Sequence, residues 1–158
     1  MAKPAKNDNF KTICVNKKAR FEYELGERLE CGLVLVGTEV KSLRMGKANL
    51  LDAYARITDG EAYLIGAHIS PYPSAYYGNH DPMRKRKLLL HAKELKKLTG
   101  KTQEKGRSLI PLRIYFKDGR AKVELALAKG KKLHDKRQTL KEQDTKRELA
   151  RTVREYNR

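Results

Sequence analysis

At 158 residues the chain is one ordinary domain with room for a tail. Its 36 Lys+Arg against 19 Asp+Glu leave a formal charge of +17, a field that draws polyanions, nucleic acid first among them. No stretch approaches the roughly 18 apolar residues of a spanning helix, and no charged-then-apolar leader opens the chain, so composition predicts a soluble, cytoplasmic protein with no membrane partner.

Two cysteines, Cys14 and Cys31, are too few for a disulfide scaffold, and a structural zinc wants four ligands. Both are predicted to be reduced thiols, with no metal and no cofactor. There is no Trp, and Tyr (8) outnumbers Phe (3). Rings with polar tips suit a wet RNA surface, and they suit ordinary sheets equally well.

In chain order, residues 1–11 hold Pro, Asn and Lys with little apolar content and read as a mobile basic arm. Residues 12–15 (TICV) form a short strand. Residues 19–25 and 28–36 flank Gly26-Glu27 and read as a hairpin. Gly37 then breaks the strand, and Thr38 is placed to cap a short helix, TEVKSLRMG, which Gly46 closes. The strongest hairpin signal is Asp59-Gly60 between the alternating runs 52–58 and 61–69. Residues 70–82 are a long loop with three prolines. A brief strand at 88–90 and a helix over 91–99, ended by Gly100, follow. The last hairpin joins 109–117 to 120–128 through Asp118-Gly119. Its apolar positions alternate throughout: Ile110, Leu112, Ile114 and Phe116, then Ala121, Val123, Leu125 and Leu127.

About six or seven short strands with small interposed helices predict a mainly β fold. The reading is an OB-like closed β-barrel over residues 12–128, with a β-sandwich as the alternative. Beyond Lys129 the pattern fails: residues 129–158 carry 11 Lys+Arg and 5 Asp+Glu, and too few apolar residues to hold a helix onto the body. That basic C-terminal tail is predicted to be disordered with nascent helix when free and to fold against an anionic surface when bound.

The cationic segments carry the candidate chemistry. Arg84, Arg86 and Lys87 open a region, 84–107, with 10 Lys+Arg and 2 Asp+Glu. It stands beside His80, Tyr72, Tyr76 and Tyr77, rings suited to stacking on bases. His91 and Glu94 have the H-x-x-E spacing of a weak metal pair, from which a metal-dependent nuclease could be built, yet there is no HExxH and no phosphate-cradling glycine loop. In the tail, His134 among Lys131, Lys132, Lys136 and Arg137 reads either as an ordinary exposed residue or as a ring that stacks on a base while the cations meet phosphates.

Four segments, GLVLVGTEVKSLRMGKANLLDAYARI, GEAYLIGAHISPY, NHDPMRKRKLLLH and LALAKGKKLHDKR, closely resemble the small protein B family, the tmRNA-binding (SsrA-binding) proteins of bacterial trans-translation. The resemblance runs in order from about Asn16 to Arg137. It implies an OB-like β-barrel that binds the tRNA-like domain of tmRNA and, with elongation factor Tu, brings alanyl-tmRNA to stalled ribosomes. It also implies a tail that becomes helical along the empty mRNA channel, against small-subunit rRNA of the decoding centre. Carried onto matching positions, Glu30, Leu89 and Lys122 belong to the tmRNA face, and His134, Asp135, Lys136 and Arg137 to the ribosome-contacting segment. Beyond Arg137 the match loosens, with Gln143 where the family commonly has a basic residue and Thr145 where it has an aromatic one. The implied function is a non-enzymatic adaptor for ribosome rescue; the alternative is a general OB-fold binder of single-stranded RNA or DNA.

Overall fold

The computed structural model describes residues 10–157. Strand β1 (Phe10–Val15), helix α1 (Ala19–Glu22) and strand β2 (Tyr23–Leu33) lead into helix α2 (Gly37–Arg44). Short strands follow: β3 (Ala48–Asn49), β4 (Tyr54–Thr58), β5 (Glu61–Ile65), β6 (His68–Ile69) and β7 (Arg86–Leu89). Helix α3 (Ala92–Thr102), the long strands β8 (Arg107–Lys117) and β9 (Arg120–Gly130), and helix α4 (Leu133–Tyr156) complete the chain.

The main sheet runs β1-β8-β4-β5-β7-β2-β9, and β8 pairs again with β9, so six of its strands close into a ring with β1 outside β8. Among the described residues, closure pairs both sides of the six ring strands and leaves β1 as the edge of this sheet. Strand β8 can serve three neighbours because it kinks: its register against β9 shifts between Pro111 and Arg113. A proline inside a paired strand belongs at such a bulge, since it donates no ladder bond. Asn16 braces the kink, donating its backbone N–H to Leu112 O (2.7 Å) and its amide to Pro111 O (3.1 Å).

Alternation sorts the side chains into two cores. Inside the ring lie Leu64, Leu88, Ile114, Val123 and Leu125, closed by Leu43 of α2 and Leu98 of α3. Outside it, Ala19 of α1 covers Ile110, Leu112, Ala126 and Ala128. Cys31 belongs to the first core and Cys14 packs against it, and burial pushes their thiols up to about 12 and about 11.

Both Asp-Gly hairpins form, with Asp59 (φ 52°), Gly60 (φ 74°), Asp118 (φ 50°) and Gly119 (φ 76°) all left-handed. Other expectations change. Gly26-Glu27 is no hairpin: β2 runs through it as a register shift against β9, between Leu25 and Arg28. Glycine is needed there because a Cβ on Gly26 would stand 3.0 Å from Leu127 O. Thr38 is not the cap of α2; Val36 is, its N–H donating to Glu39 Oε2 at 3.0 Å. Gly100 does not end α3, which runs on to Thr102. Residues 1–9 of the expected basic arm lie outside the described residues, whereas Phe10 and Lys11 belong to β1 and pair with Lys117 and Phe116.

The tail differs most from its expectation. Helix α4 has 24 residues, roughly 36 Å at 1.5 Å per residue, and buries none of them. Its own backbone ladder carries it, while Thr139, Thr145 and Thr152 each turn a hydroxyl back to the carbonyl four residues earlier. Among the described residues its root is tied to the body, where Lys131 donates its N–H to Glu22 O (2.9 Å) and its ammonium to Arg20 O (3.0 Å).

One buried charge cluster locks α2 to the ring. Glu39 and Arg86 are both 0% exposed, and Glu39 accepts from Arg86 Nε (2.8 Å) and from Arg84 Nε (3.0 Å) and Nη2 (2.8 Å). Burial alone would raise the Glu39 carboxyl, but bonds from Arg84, the Val36 N–H and Arg86 outweigh it and hold the group at about 2 against an ordinary 4.5. A depressed carboxylate adds stability that is whole above the unfolded value and fades as pH falls towards the folded one. Stability measured by urea denaturation should therefore decline from pH 4.5 towards pH 2. Glu39→Gln should cost about 3–5 kcal/mol at neutral pH, by stranding two guanidiniums, and should flatten that acid limb. An unchanged acid limb in the variant would refute the assignment.

Candidate nucleic-acid interface

Register across the ring builds one continuous row on its outer face. Tyr115 of β8 stands opposite Lys122 of β9, Lys122 opposite Gly32 of β2, and Gly32 opposite Leu89 of β7. Their neighbours Ile114, Val123, Cys31 and Leu88 point into the core, so period-two alternation turns the whole row outward. Glu30, two residues before Gly32, shares that face. The three residues expected on the tmRNA face, Glu30, Leu89 and Lys122, thus come from three strands to line one groove of about 560 Å³. Leu89 is 54% exposed, an apolar side chain on the surface rather than in the core. Gly32 makes room for it, since a Cβ there would lie 3.1 Å from Leu89 Cβ.

Glu30 is held as an ionised acceptor. The Tyr115 hydroxyl donates to its Oε2, and Lys117 Nζ lies 3.6 Å from its Oε1. That Tyr115 bond is the main reason the carboxyl sits below its ordinary value. Burial, together with the same bond, pushes the Tyr115 phenol up. A fixed carboxylate can accept from amino or hydroxyl donors, and the ammonium of Lys122 beside it can pair with an anion.

Around these three residues β8 adds the partly exposed Arg113 and the exposed Lys117, with Tyr115 itself covered beneath Phe10, in a way that motif reading missed. Tyr115 stacks on Phe10 at 4.8 Å between ring centroids, and the Arg113 guanidinium lies 5.0 Å from the Tyr115 centroid and 5.3 Å from that of Phe10. Arg113 is aimed by Glu124 (2.5 Å), which Arg28 also approaches at 3.7 Å. The alternation already read in the last hairpin implied it: with Ile114 and Phe116 inward, Arg113, Tyr115 and Lys117 turn outward.

The 84–87 cluster divides. Lys87 is half exposed and pairs with Glu61 at 2.9 Å, and Arg84 is partly exposed. Arg86 is a correction to the expected site. Its guanidinium is spent inside the protein on Glu39, Ala67 O (2.7 Å) and Pro82 O (3.1 Å), leaving no free edge for RNA. His80 is a second correction: at 9% exposure its Nδ1 faces Thr38 Oγ1 (2.8 Å) and its Nε2 faces Ile69 O (2.9 Å). The carbonyl partner assigns the ring proton to Nε2, so the imidazole clamps the loop instead of stacking on a base. The H-x-x-E pair also has a local use, because Glu94 accepts the His91 N–H (3.3 Å) at the start of α3. Among the described residues no cluster of three or more His, Cys, Asp or Glu could hold a metal.

The expected ribosome-contacting residues gather at the root of α4. Lys131 and Lys132 precede the helix, and His134, Asp135, Lys136 and Arg137 occupy its first turns. His134 is 88% exposed, with Asp135 at 3.9 Å. Asp135 in the first turn complements the helix dipole.

If Tyr115 holds Glu30 as described, Tyr115→Phe should raise the Glu30 carboxyl towards 4.5, read by NMR titration of its side-chain carbon. An unmoved midpoint would assign the depression to the lysines instead.

Comparison with known proteins agrees along nearly the whole chain. The sequence profile of the SmpB protein family matches residues 13–155. The SsrA-binding protein of Syntrophobacter fumaroxidans is 59% identical over 149 residues, covering 94% of this chain and 92% of that one. That of Desulforudis audaxviator is 61% identical over 144 residues, covering 91% and 94%. A solved SmpB chain, described with tmRNA at the centre of the bacterial ribosome, superposes with a TM-score of 0.65 at 53% identity, covering 76% of this chain and 85% of that one. With a face that gathers Glu30, Leu89 and Lys122 and a cationic helix leaving the ring, the chain belongs to the SmpB family.

Proposed function

We propose that this chain is a tmRNA-binding adaptor of trans-translation, a binding protein without catalysis that works in the cytoplasm. The observation that carries the reading is the cross-strand row itself: an anchored carboxylate, an exposed leucine and a lysine on one rigid face. The ring is read as an OB-like barrel whose outer face takes the tRNA-like domain of tmRNA. Lys122 meets phosphate, Leu89 packs on a sugar or base, and Glu30 accepts from a base or ribose group. Lys87 and the outer edge of Arg84 add cationic steering, while Arg86 and His80 position the loop from within.

The second contact belongs to the tail. A decoding site empty of message offers no codon pairing energy, so contacts between protein and small-subunit rRNA replace it. Lys131, Lys132, Lys136 and Arg137 meet phosphates there, and His134 stacks on a base. Helix α4 buries nothing, so off the ribosome it exchanges with coil, and the walls of the vacant mRNA channel select the helix. Delivery as alanyl-tmRNA makes elongation factor Tu a partner through the RNA. Lys129 and Gly130 pair with Glu24 and Tyr23 in the sheet, so the joint between body and tail falls at Lys131-Lys132.

Cutting the chain after Lys132 should leave tmRNA affinity within about threefold in gel shifts while abolishing tagging in a reconstituted translation system. A large loss of tmRNA affinity would sink the division of labour. Lys122→Ala should weaken tmRNA binding by about 1 kcal/mol and reduce its salt slope by about one ion. An unchanged slope would make the lysine structural. The alternative, a general single-strand binder, predicts that poly(U) competes with tmRNA on equal terms.

A further inference from the structure

The loop between β6 and β7 presents aromatic surface that the proposed tmRNA face does not use. Tyr76 and Tyr77 are 93% and 101% exposed, with ring centroids 5.9 Å apart and planes tilted by 58°, so neither ring covers the other's face. Two bare rings in an unanchored loop would signify little, but here the base of the loop is locked. Tyr72 and Asn79 exchange two hydrogen bonds (Tyr72 N–H to Asn79 Oδ1, 2.9 Å; Asn79 Nδ2 to Tyr72 O, 2.8 Å). His80 clamps the next position, and the turn between them passes through Gly78 at φ +101°, a conformation other residues adopt only with strain.

The groove beside these rings has a definite charge. It spans about 650 Å³, and its lining includes Lys41 and Arg84 and no acidic residue. Lys41 lies 5.2 Å from the Tyr72 ring centroid, holding an ammonium beside the aromatic surface. Helix α2 separates this groove from the first: Val40 lines the Glu30–Leu89–Lys122 groove and Lys41 lines this one. Free aromatic faces with one cation alongside suit a nucleotide, whose base stacks while its phosphate meets the charge. An apolar protein segment would meet few aliphatic partners here.

We propose that the loop carries a second RNA contact, in which Tyr76 and Tyr77 stack on an unpaired base and Lys41 meets its phosphate. The proposal rests on the RNA-binding reading above for the class of partner, and adds a site on the opposite side of α2.

The probe is a ten-nucleotide oligo(A) RNA added to the full chain, followed by NMR of the tyrosine ring resonances and by titration. Tyr76 and Tyr77 ring signals should move upfield and saturate. Tyr76→Ala with Tyr77→Ala should weaken oligo(A) binding at least about fivefold, whereas Tyr76→Phe with Tyr77→Phe should keep it within about twofold. Ring signals that stay still while those of the tail move would overturn the proposal. So would an unchanged affinity in the alanine variant, or a phenylalanine variant as weak as the alanine one. Shifts caused only by RNA-free ribosomal proteins would overturn it in favour of a protein partner. The tmRNA titration of Lys122→Ala reports on the earlier reading separately, because that residue lies outside this groove.

Discussion

The rest of the fold leans on one buried carboxylate. Glu39 binds the guanidiniums of Arg84 and Arg86 and caps its own helix through the Val36 N–H. Arg86 passes the constraint on to the carbonyls of Ala67 and Pro82. Helix α2, the turn between β5 and β6, and the long loop are therefore fixed to the first residue of β7. Three residues later stands Leu89, whose place over Gly32 completes the outer row. A buried ion pair adds little net stability compared with a well-packed apolar cluster, but breaking it is expensive. Here it sets position: the groove has its shape because α2 and β7 cannot slide past each other.

Much of this was legible in the sequence. Both Asp-Gly hairpins, the alternation of the last one and the helical stretch after Gly37 rest on local chemistry, and local chemistry is what a sequence displays. The failures have a common cause, which is that composition does not tell inward from outward. In Arg86-Lys87-Leu88-Leu89, charge suggests two surface cations and an apolar core pair. Period-two pairing instead sends Arg86 and Leu88 inward and Lys87 and Leu89 outward. Once Leu88 enters the core, the exposed Leu89 and the buried Arg86 both follow, and the arginine is tolerable only because Glu39 arrives from 47 residues upstream. No local pattern announces that partner. His80 failed in the same way, since Thr38 and Ile69 claim it from elsewhere in the chain. The resemblance to relatives located Glu30, Leu89 and Lys122, and the strand register then supplied the physical reason those three belong together.

The two ends of the molecule treat order differently. The outer face is rigid because every strand beneath it has paired neighbours and a filled core. Its groups need little reorganisation to meet a folded RNA, which favours discrimination by shape and by placed polar contacts. Helix α4 is the opposite case. It has no buried residue, so its order rests on backbone bonds and the tether at Lys131. Such a segment gives up part of its binding energy to be ordered, and that loss is useful in a sensor. Under the proposed function, a continuous anionic wall along the tail offsets that loss.

This contrast bears on how the joint transmits information. Lys131 donates to Glu22 O at the end of α1, to Arg20 O within it, and to the Thr139 hydroxyl, so one residue ties the root of α4 to the short helix covering the outer core. Ordering the first turns of α4 thereby acts against a fixed body and not a slack linker. Direction is set at Lys131, while length is free to follow whatever surface lies ahead. A tail joined through a floppy glycine segment would sample every direction and spend more entropy in finding a channel. Gly130 is spared that role because it pairs with Tyr23 within the sheet. The ring therefore aims the helix as well as carrying it, and the aim depends on the same strand, β2, that holds Glu30 in the outer face.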